Sequence, residues 1–384
     1  MEVKVLSIGQ ICKRFSSGKN ITSQNISEEG VYPVYGGNGL RGYTDTYNFE
    51  GECAIVGRQG AYCGNVKYVR GKAYMSEHAI VAVTNSEHNN KYFYYKLSLA
   101  KLGRFSGQAA QPGLSVTKLL RLKLEMPSRK YQDVTASILS TYDTLIENNT
   151  KRIRLLEKMA ENLYKEWFVR FRFPGHENVE MENGLPKGWK IIFINDCCET
   201  IGGGTPSTSK SEYWNGNVKW VTPTDLTNKS SMPLLNIAGR ITDEGLAHSS
   251  AKLLPTYSIL MTSRASIGYL GINLEPVCTN QGFISIIPQT PNLLMYFLYM
   301  LKNRRNEIIS NANGATFLEI SKGRFRKMKM VLPNKEMLDE FQVKAFNLFN
   351  MVLKLEKQNS LLARQRDLLL PRLMSGKLEV KVKA

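Results

Sequence analysis

Two short runs in this 384-residue chain carry side chains suited to hydrogen-bonding the edges of nucleic-acid bases. Arg58-Gln59-Gly60-Ala61-Tyr62 follows an apolar run, and Arg264-Ala265-Ser266-Ile267-Gly268 begins 206 positions after it. A second pair, Arg104-Phe105-Ser106-Gly107-Gln108-Ala109-Ala110-Gln111 and Asn311-Ala312-Asn313-Gly314-Ala315-Thr316, stands at matching places further along. Arginine can clamp guanine O6 and N7, and glutamine or asparagine can bridge adenine N6 and N7. Arg58, Gln59, Tyr62, Arg104, Gln108, Gln111, Arg264 and Asn313 are therefore expected to face DNA, with Arg41, Lys219, Thr222, Thr224 and Asn280 from nearby motifs. Lys118, Arg121, Lys322, Arg324 and Arg326 are expected at phosphates, which position a protein without specifying sequence. Any one of these is as consistent with a solvated loop, and Arg58 or Arg264 would equally brace a turn. Their paired placement raises them above that background.

Motifs for enzymatic chemistry fail their structural context. Gly37-Asn38-Gly39-Leu40-Arg41-Gly42 has dinucleotide-loop spacing, but Tyr43-Thr44-Asp45-Thr46-Tyr47 follows where a helix should open, so a glycine turn is expected. Ser17-Gly18-Lys19-Asn20 lacks the upstream glycine and the hydroxyl of a phosphate-cradling loop. The six cysteines have no Cys-x-x-Cys spacing and the four histidines are dispersed, so neither a metal site nor a disulfide frame is expected. No Asn-Pro-Pro-aromatic methylation motif occurs, and no Pro-Asp dipeptide opens a nuclease motif.

The elements that must carry the candidate residues come in duplicate. Leu114-Ser115 with Leu122-Lys123-Leu124-Glu125-Met126-Pro127 recurs as Ile320-Ser321 with Met328-Lys329-Met330-Val331-Leu332-Pro333, and each copy runs into a heptad-patterned stretch. A repeat this long is a duplicated domain rather than a solenoid. Residues 1–130 hold 18 Lys and Arg against 9 Asp and Glu, a surplus of +9, and residues 187–333 hold 16 against 9, a surplus of +7. The intervening stretch 131–168 is at 5 minus 6, or −1, and 334–372 at 7 minus 5, or +2. The net charge of +18 is thus concentrated in the two globular parts, as a polyanion-binding surface requires.

In 131–168 the series Ile138, Tyr142, Leu145, Asn149, Arg152, Leu156, Met159, Leu163 predicts a helical seam. In 334–372 the series is Phe341, Ala345, Leu348, Val352, Leu355, Asn359, Leu362, Arg366, Leu369, with Asn359 and Arg366 fixing register. Pro127 and Pro333 are expected to close the preceding strands and Pro371 to end the second helix. Each helix should reach about 54 Å and find its partner in the other as an antiparallel coiled-coil pair, although a homodimeric coiled coil competes. Cys53–Val56, Ile80–Val83, Ser258–Met261 and Phe283–Ile287 read as strands, and Tyr92–Lys101 and Leu293–Ile309 as helices. The fold class is α+β, with a curved sheet or partial barrel in each of 1–130 and 187–333, a connector at 169–186 and a tail at 373–384. No run of about 18 apolar residues occurs, and no membrane partner is expected, placing the chain in the cytoplasm.

With these features assembled, the chain resembles the DNA-specificity subunit of type I restriction-modification systems. The likeness rests on Tyr32-Pro33-Val34-Tyr35-Gly36-Gly37-Asn38-Gly39, Leu185-Pro186-Lys187-Gly188-Trp189, Gly202-Gly203-Gly204-Thr205-Pro206-Ser207, Trp220-Val221-Thr222-Pro223-Thr224-Asp225, Thr279-Asn280-Gln281 and the closing Leu369–Leu378 segment. It implies two pseudo-symmetric target-recognition domains separated by conserved helices. It also implies a non-catalytic subunit that reads double-stranded DNA as a two-part target and directs two methyltransferase subunits and restriction subunits to it. S-adenosylmethionine, ATP and Mg would belong to those partners, with no cofactor here. The competing readings are an autonomous DNA-modifying enzyme, which the missing motifs disfavour, and a coiled-coil protein whose basic domains bind an acidic protein. The first unit lacks the Gly-Gly-Gly-Thr-Pro-Ser run, so the two units should read different bases.

Overall fold

A computed structural model of the chain describes residues 3–107, 112–228, 231–314 and 316–380. It divides into one unit formed by 1–146 with 361–384 and a second formed by 147–360.

In unit 1 a six-stranded sheet runs in the spatial order Cys12–Ser17, Ala79–Thr84, Phe49–Gly57, Val66–Met75, Tyr32–Gly36, Gly39–Thr44. All neighbours are antiparallel except Tyr32–Gly36 with Val66–Met75. The continuous apolar runs have a physical reason, because residues 53–57 and Ala79–Thr84 are covered on both faces. Ala54, Val56, Ile80 and Ala82 pack beneath the helix Asn90–Leu99, while Cys53, Ile55, Val81 and Val83 fill a separate cluster opposite. The glycine motif at 37–42 is the hairpin between two strands, with Gly39 at φ +100°.

Unit 2 has a five-stranded sheet, Cys198–Gly202, Phe283–Pro288, Ile259–Thr262, Leu270–Asn273, Pro233–Leu234, and a three-stranded one, Arg240–Ile241, Trp214–Val221, Cys278–Thr279. Its core holds the helix Leu294–Asn303, whose first eight residues are all buried. The single helix expected over 293–309 is two, broken at Arg304, whose guanidinium turns onto Glu307 at 2.5 and 2.7 Å before the helix Arg305–Ser310 begins.

The repeated sequence has one structural meaning in both units. Ser115 and Ser321 cap short helices, Val116–Leu120 and Lys322–Arg326, through their hydroxyls. The strands Lys123–Pro127 and Lys329–Leu332 then pair antiparallel with Val3–Ser7 and Lys190–Phe193. Each copy next opens a long helix, Arg129–Tyr164 and Lys335–Met374.

In each unit these helices run antiparallel. In unit 1 the Tyr131 hydroxyl donates to the Leu373 carbonyl at 3.0 Å and Arg366 to Asp143 at 2.8 Å. In unit 2 Asn149 donates to Asn359 and Gln358, both at 3.0 Å, Ile153 packs with Val352 and Leu355, and Tyr164 meets Phe341. The polar seam residues Asn359 and Arg366 are thus both matched.

Two expectations need correction. Pro371 does not end the second helix, which continues through Met374. Its missing N–H falls in the last turn, where a single ladder bond is lost. The seam of the first helix is also displaced from Ile138, Leu145 and Met159, which are exposed, onto Thr135, Ala136, Leu139, Ile153, Glu157 and Ala160.

Candidate nucleic-acid interface

In both units the turn after a core strand is stitched to the segment that precedes the capped helix. In unit 1 Leu114 N–H donates to the Arg58 carbonyl at 2.8 Å and Gly60 N–H to Pro112 at 3.0 Å. In unit 2 Ile320 N–H donates to Ser263 at 3.0 Å and Ala265 N–H to Leu318 at 2.9 Å. The isolated bridges agree, Gln59 with Gly113 and Arg264 with Glu319. The place of Arg58 is therefore taken by Ser263, and Arg264 stands where unit 1 has Gln59. The offset is thus 205 residues at this turn and 206 at the anchor, and the turn itself is alike in both units, with Gly60 at φ +86° and Ala265 at φ +58°.

Burial follows the corrected pairing. Arg58 is half-buried, its guanidinium donating to Ser17 Oγ at 3.2 Å, and Ser263 is buried, whereas Gln59 and Arg264 are exposed. Gln59 Oε1 lies 3.1 Å from His78 Nδ1, and Arg264 lies 3.9 Å from Glu319 and over the Phe317 ring.

The remaining candidates separate into exposed and internally engaged groups. Arg41, Tyr62, Arg104, Lys118, Arg121, Thr224, Asn313, Lys322 and Arg324 are exposed, with Arg104 stacked over Phe105. Arg326 instead grips Thr200 through two bonds of 2.5 and 2.8 Å, and Lys219 pairs with Glu275. Thr222, at the start of the helix Pro223–Thr227, donates its N–H and its hydroxyl to the Asp225 carboxylate, both at 2.8 Å, and Asn280 accepts from Gly282 N–H at 3.0 Å. These four act within the fold, and Gln108 and Gln111 lie outside the described residues. Sequence reasoning passed over Phe317 and Leu318, exposed beside Arg264; two large apolar residues in a Gly- and Asn-rich loop were the available signal.

The Gly202–Gly204 run has a packing role. A Cβ on Gly203 would fall 2.0 Å from the Asn280 carbonyl, so only glycine lets this strand end cross Thr279-Asn280. Gly204 N–H donates to Thr279 at 2.8 Å, and Trp220 Nε1–H to the Gly204 carbonyl at 3.0 Å, tying three sequence motifs into one corner.

Burial pushes the Cys12, Cys53, Cys197, Cys198 and Cys278 thiols up to about 12, leaving them protonated at neutral pH. Among the described residues no group of three or more His, Cys, Asp or Glu could hold a metal ion, and no helix is long and apolar enough to cross a membrane.

The duplicated reader-and-helix plan has matches among known proteins. The type I restriction enzyme EcoprrI specificity subunit of Escherichia coli is 38% identical over 166 residues, 42% of this chain and 41% of that one. The MjaIX specificity subunit of Methanocaldococcus jannaschii is 31% identical over 200 residues, covering 52% and 46%. These two alignments span less than half of each relative, whereas the HindI specificity subunit of Haemophilus influenzae aligns at 25% identity over 70% of this chain and 71% of its own. In fold, the crystal structure of a type I restriction-modification S subunit from M. genitalium superposes with a TM-score of 0.61 at 17% identity, covering 97% of this chain and 96% of that one. The model of the type I restriction modification DNA specificity domain matches twice, over residues 1–158 and 186–361, and with each match holding one stitched tip and its capped helix, the chain belongs to that family.

Proposed function

We propose that this chain is the DNA-specificity subunit of a type I restriction-modification complex, reading a two-part target and performing no chemistry itself. The observation that carries this reading is the recurrence of one stitched turn, capped helix and strand in two basic units with different residues at the tip. Exposed Lys118, Arg121, Lys322 and Arg324 supply phosphate contacts, and Gln59 and Arg264 offer adenine-type and guanine-type hydrogen bonding at equivalent places. The reading domains extend over 1–130 and 187–333.

The long helices set the separation of the half-sites. Half-sites on one face of a duplex lie about 34 Å apart, within the reach of the 36-residue first helix at about 1.5 Å per residue. Two methyltransferase subunits, carrying S-adenosylmethionine, then act on adenines in the half-sites, and restriction subunits use ATP and Mg.

Mapping methylated adenines in DNA from cells expressing the assembled system tests this. Two short specific blocks separated by a fixed spacer are expected. One continuous block, or no methylation dependent on this chain, would overturn it.

A further inference from the structure

Phe317 and Leu318 form an apolar pair, 58% and 46% exposed, at the tip of unit 2. The core lies immediately beneath, since Ile320 is only 1% exposed. Three backbone hydrogen bonds hold the pair outside it. Asn313 and Glu319 exchange N–H to carbonyl bonds of 3.0 and 2.8 Å across the base of the loop, and Ala265 N–H fastens the Leu318 carbonyl at 2.9 Å. Gly314 completes the turn at φ +141°, where a Cβ would stand 2.1 Å from the Phe317 carbonyl oxygen. With its neighbours tied in this way, an aromatic ring faces solvent, which favours a ligand with an apolar interior.

The surroundings identify the chemistry of that ligand. The Arg264 guanidinium lies 6.0 Å from the Phe317 ring centre, and Lys322 and Arg324 are exposed on the helix that follows. An apolar tip among these cations suits duplex DNA: Lys322 and Arg324 meet its phosphates, Arg264 a base edge, and the stacked bases accept the ring. At the same offset unit 1 carries Gln111-Pro112, without an aromatic side chain.

We infer that Phe317, backed by Leu318, is a wedge that enters between adjacent base pairs in the half-site read by unit 2 and unstacks one step. This rests on the DNA reading above. Apolar side chains inserted in this way kink the duplex and favour steps that unstack easily, above all pyrimidine–purine ones. Part of the specificity of unit 2 then comes from deformability, at a position with no base-edge hydrogen bond.

The test uses the full-length chain co-purified with its methyltransferase subunits, and a duplex of the methylation-mapped target carrying 2-aminopurine at successive positions. Binding should raise the fluorescence at one step of the unit 2 half-site and at none in the other. The double variant Phe317→Ala with Leu318→Ser should abolish that rise and weaken binding about tenfold, with the salt slope unchanged because no phosphate contact is lost. Phe317→Trp should retain the rise, separating loss of the wedge from loss of the fold. A wild-type complex that footprints on the target without a rise at any step, or a double variant that keeps the rise, would overturn the wedge alone. Failure of the double variant to co-purify with the methyltransferase subunits, where Phe317→Trp does so, would assign the pair to a protein contact and overturn it too. Absence of sequence-specific binding by the wild-type complex would remove the DNA reading itself, and the wedge with it.

Discussion

At one hydrogen-bonded place unit 1 presents Gln59 and unit 2 presents Arg264, each bridged to the residue just before the Leu114 or Ile320 anchor. The frame around that place is nearly constant: a core strand, a stitched turn, a Ser-capped helix, an edge strand. An amide offers a donor and an acceptor side by side, while a guanidinium offers only donors, so on the proposed reading the same backbone would address different base edges. The units also differ in the carboxylates on the helix that leads from one to the other. In unit 1 burial would raise the Asp143 carboxyl, but hydrogen bonds from Tyr95 at 2.5 Å and Arg366 at 2.8 Å and the nearby Lys91 outweigh it and hold it below the usual range. In unit 2 burial dominates at Glu157 and raises its carboxyl, despite the 2.8 Å bond from Met232 N–H and the charge of Lys302. Duplication has thus preserved the chain path while each unit's polar anchoring is separately set.

Asp143→Ala should show the largest effect. It leaves Arg366, Lys91 and the Tyr95 hydroxyl facing a gap, and should cost unit 1 about 2–3 kcal/mol, less than a fully buried pair would because about a fifth of the side chain meets water. Urea unfolding with hydrogen exchange read on the Asn90–Leu99 helix measures it; an unchanged midpoint would deny the cluster any stabilising role. Because the folded pKa of Asp143 is depressed, its contribution is present above the unfolded carboxylate pKa and is lost as pH falls through the folded value.

Arg264→Gln gives unit 2 the side-chain type of unit 1. It should erase guanine preference at one position of one half-site, about 1–3 kcal/mol of discrimination, and leave the other half-site untouched. Methylation mapping of the variant system reads this directly, and a change in both half-sites would break the comparison.

A smaller effect of opposite sign is expected at Glu157→Gln, which keeps an acceptor for Met232 N–H and removes the buried charge. Glu157 has a raised folded pKa, so its stabilising contribution is complete only below its unfolded pKa and is lost as pH rises through the folded one. The variant should therefore gain on wild type as pH rises over that interval, in urea midpoints taken from acid to neutral pH. A loss at neutral pH would reverse the assignment. Lys118→Ala and Lys322→Ala should be smaller still, weakening binding evenly across sequences and lowering the salt slope by about one each.

Both long helices were legible in the sequence, but the buried seam only of the second, for a physical reason. Phe341, Ala345, Val352 and Leu355 are buried as the heptad spacing predicts. In the first helix many inward positions are small or polar, Thr135, Ala136, Asn149, Glu157 and Ala160 among Leu139 and Ile153, while Ile138, Leu145, Leu155 and Met159 face out. A pattern that counts apolar residues selects the wrong stripe when close packing and hydrogen bonds fill the seam. At the tips, residue type located the correct turns but not which side chains are spent inside the fold. Arg58 and Arg326 look like Arg264 and Arg324 in sequence, and only their bonds to Ser17 and Thr200 separate them. The one-residue change of offset between turn and anchor was likewise invisible, because it shows only in which backbone groups pair.

The central claim, two unlike readers held at a distance by paired helices, is tested most directly by deleting one matched heptad from each helix and mapping the methylated site again. Seven residues correspond to about 10.5 Å of helix and about 3 base pairs at 3.4 Å each. The account predicts the same two half-site sequences with a spacer shorter by about that amount. An unchanged spacer with both half-sites still recognised would contradict it.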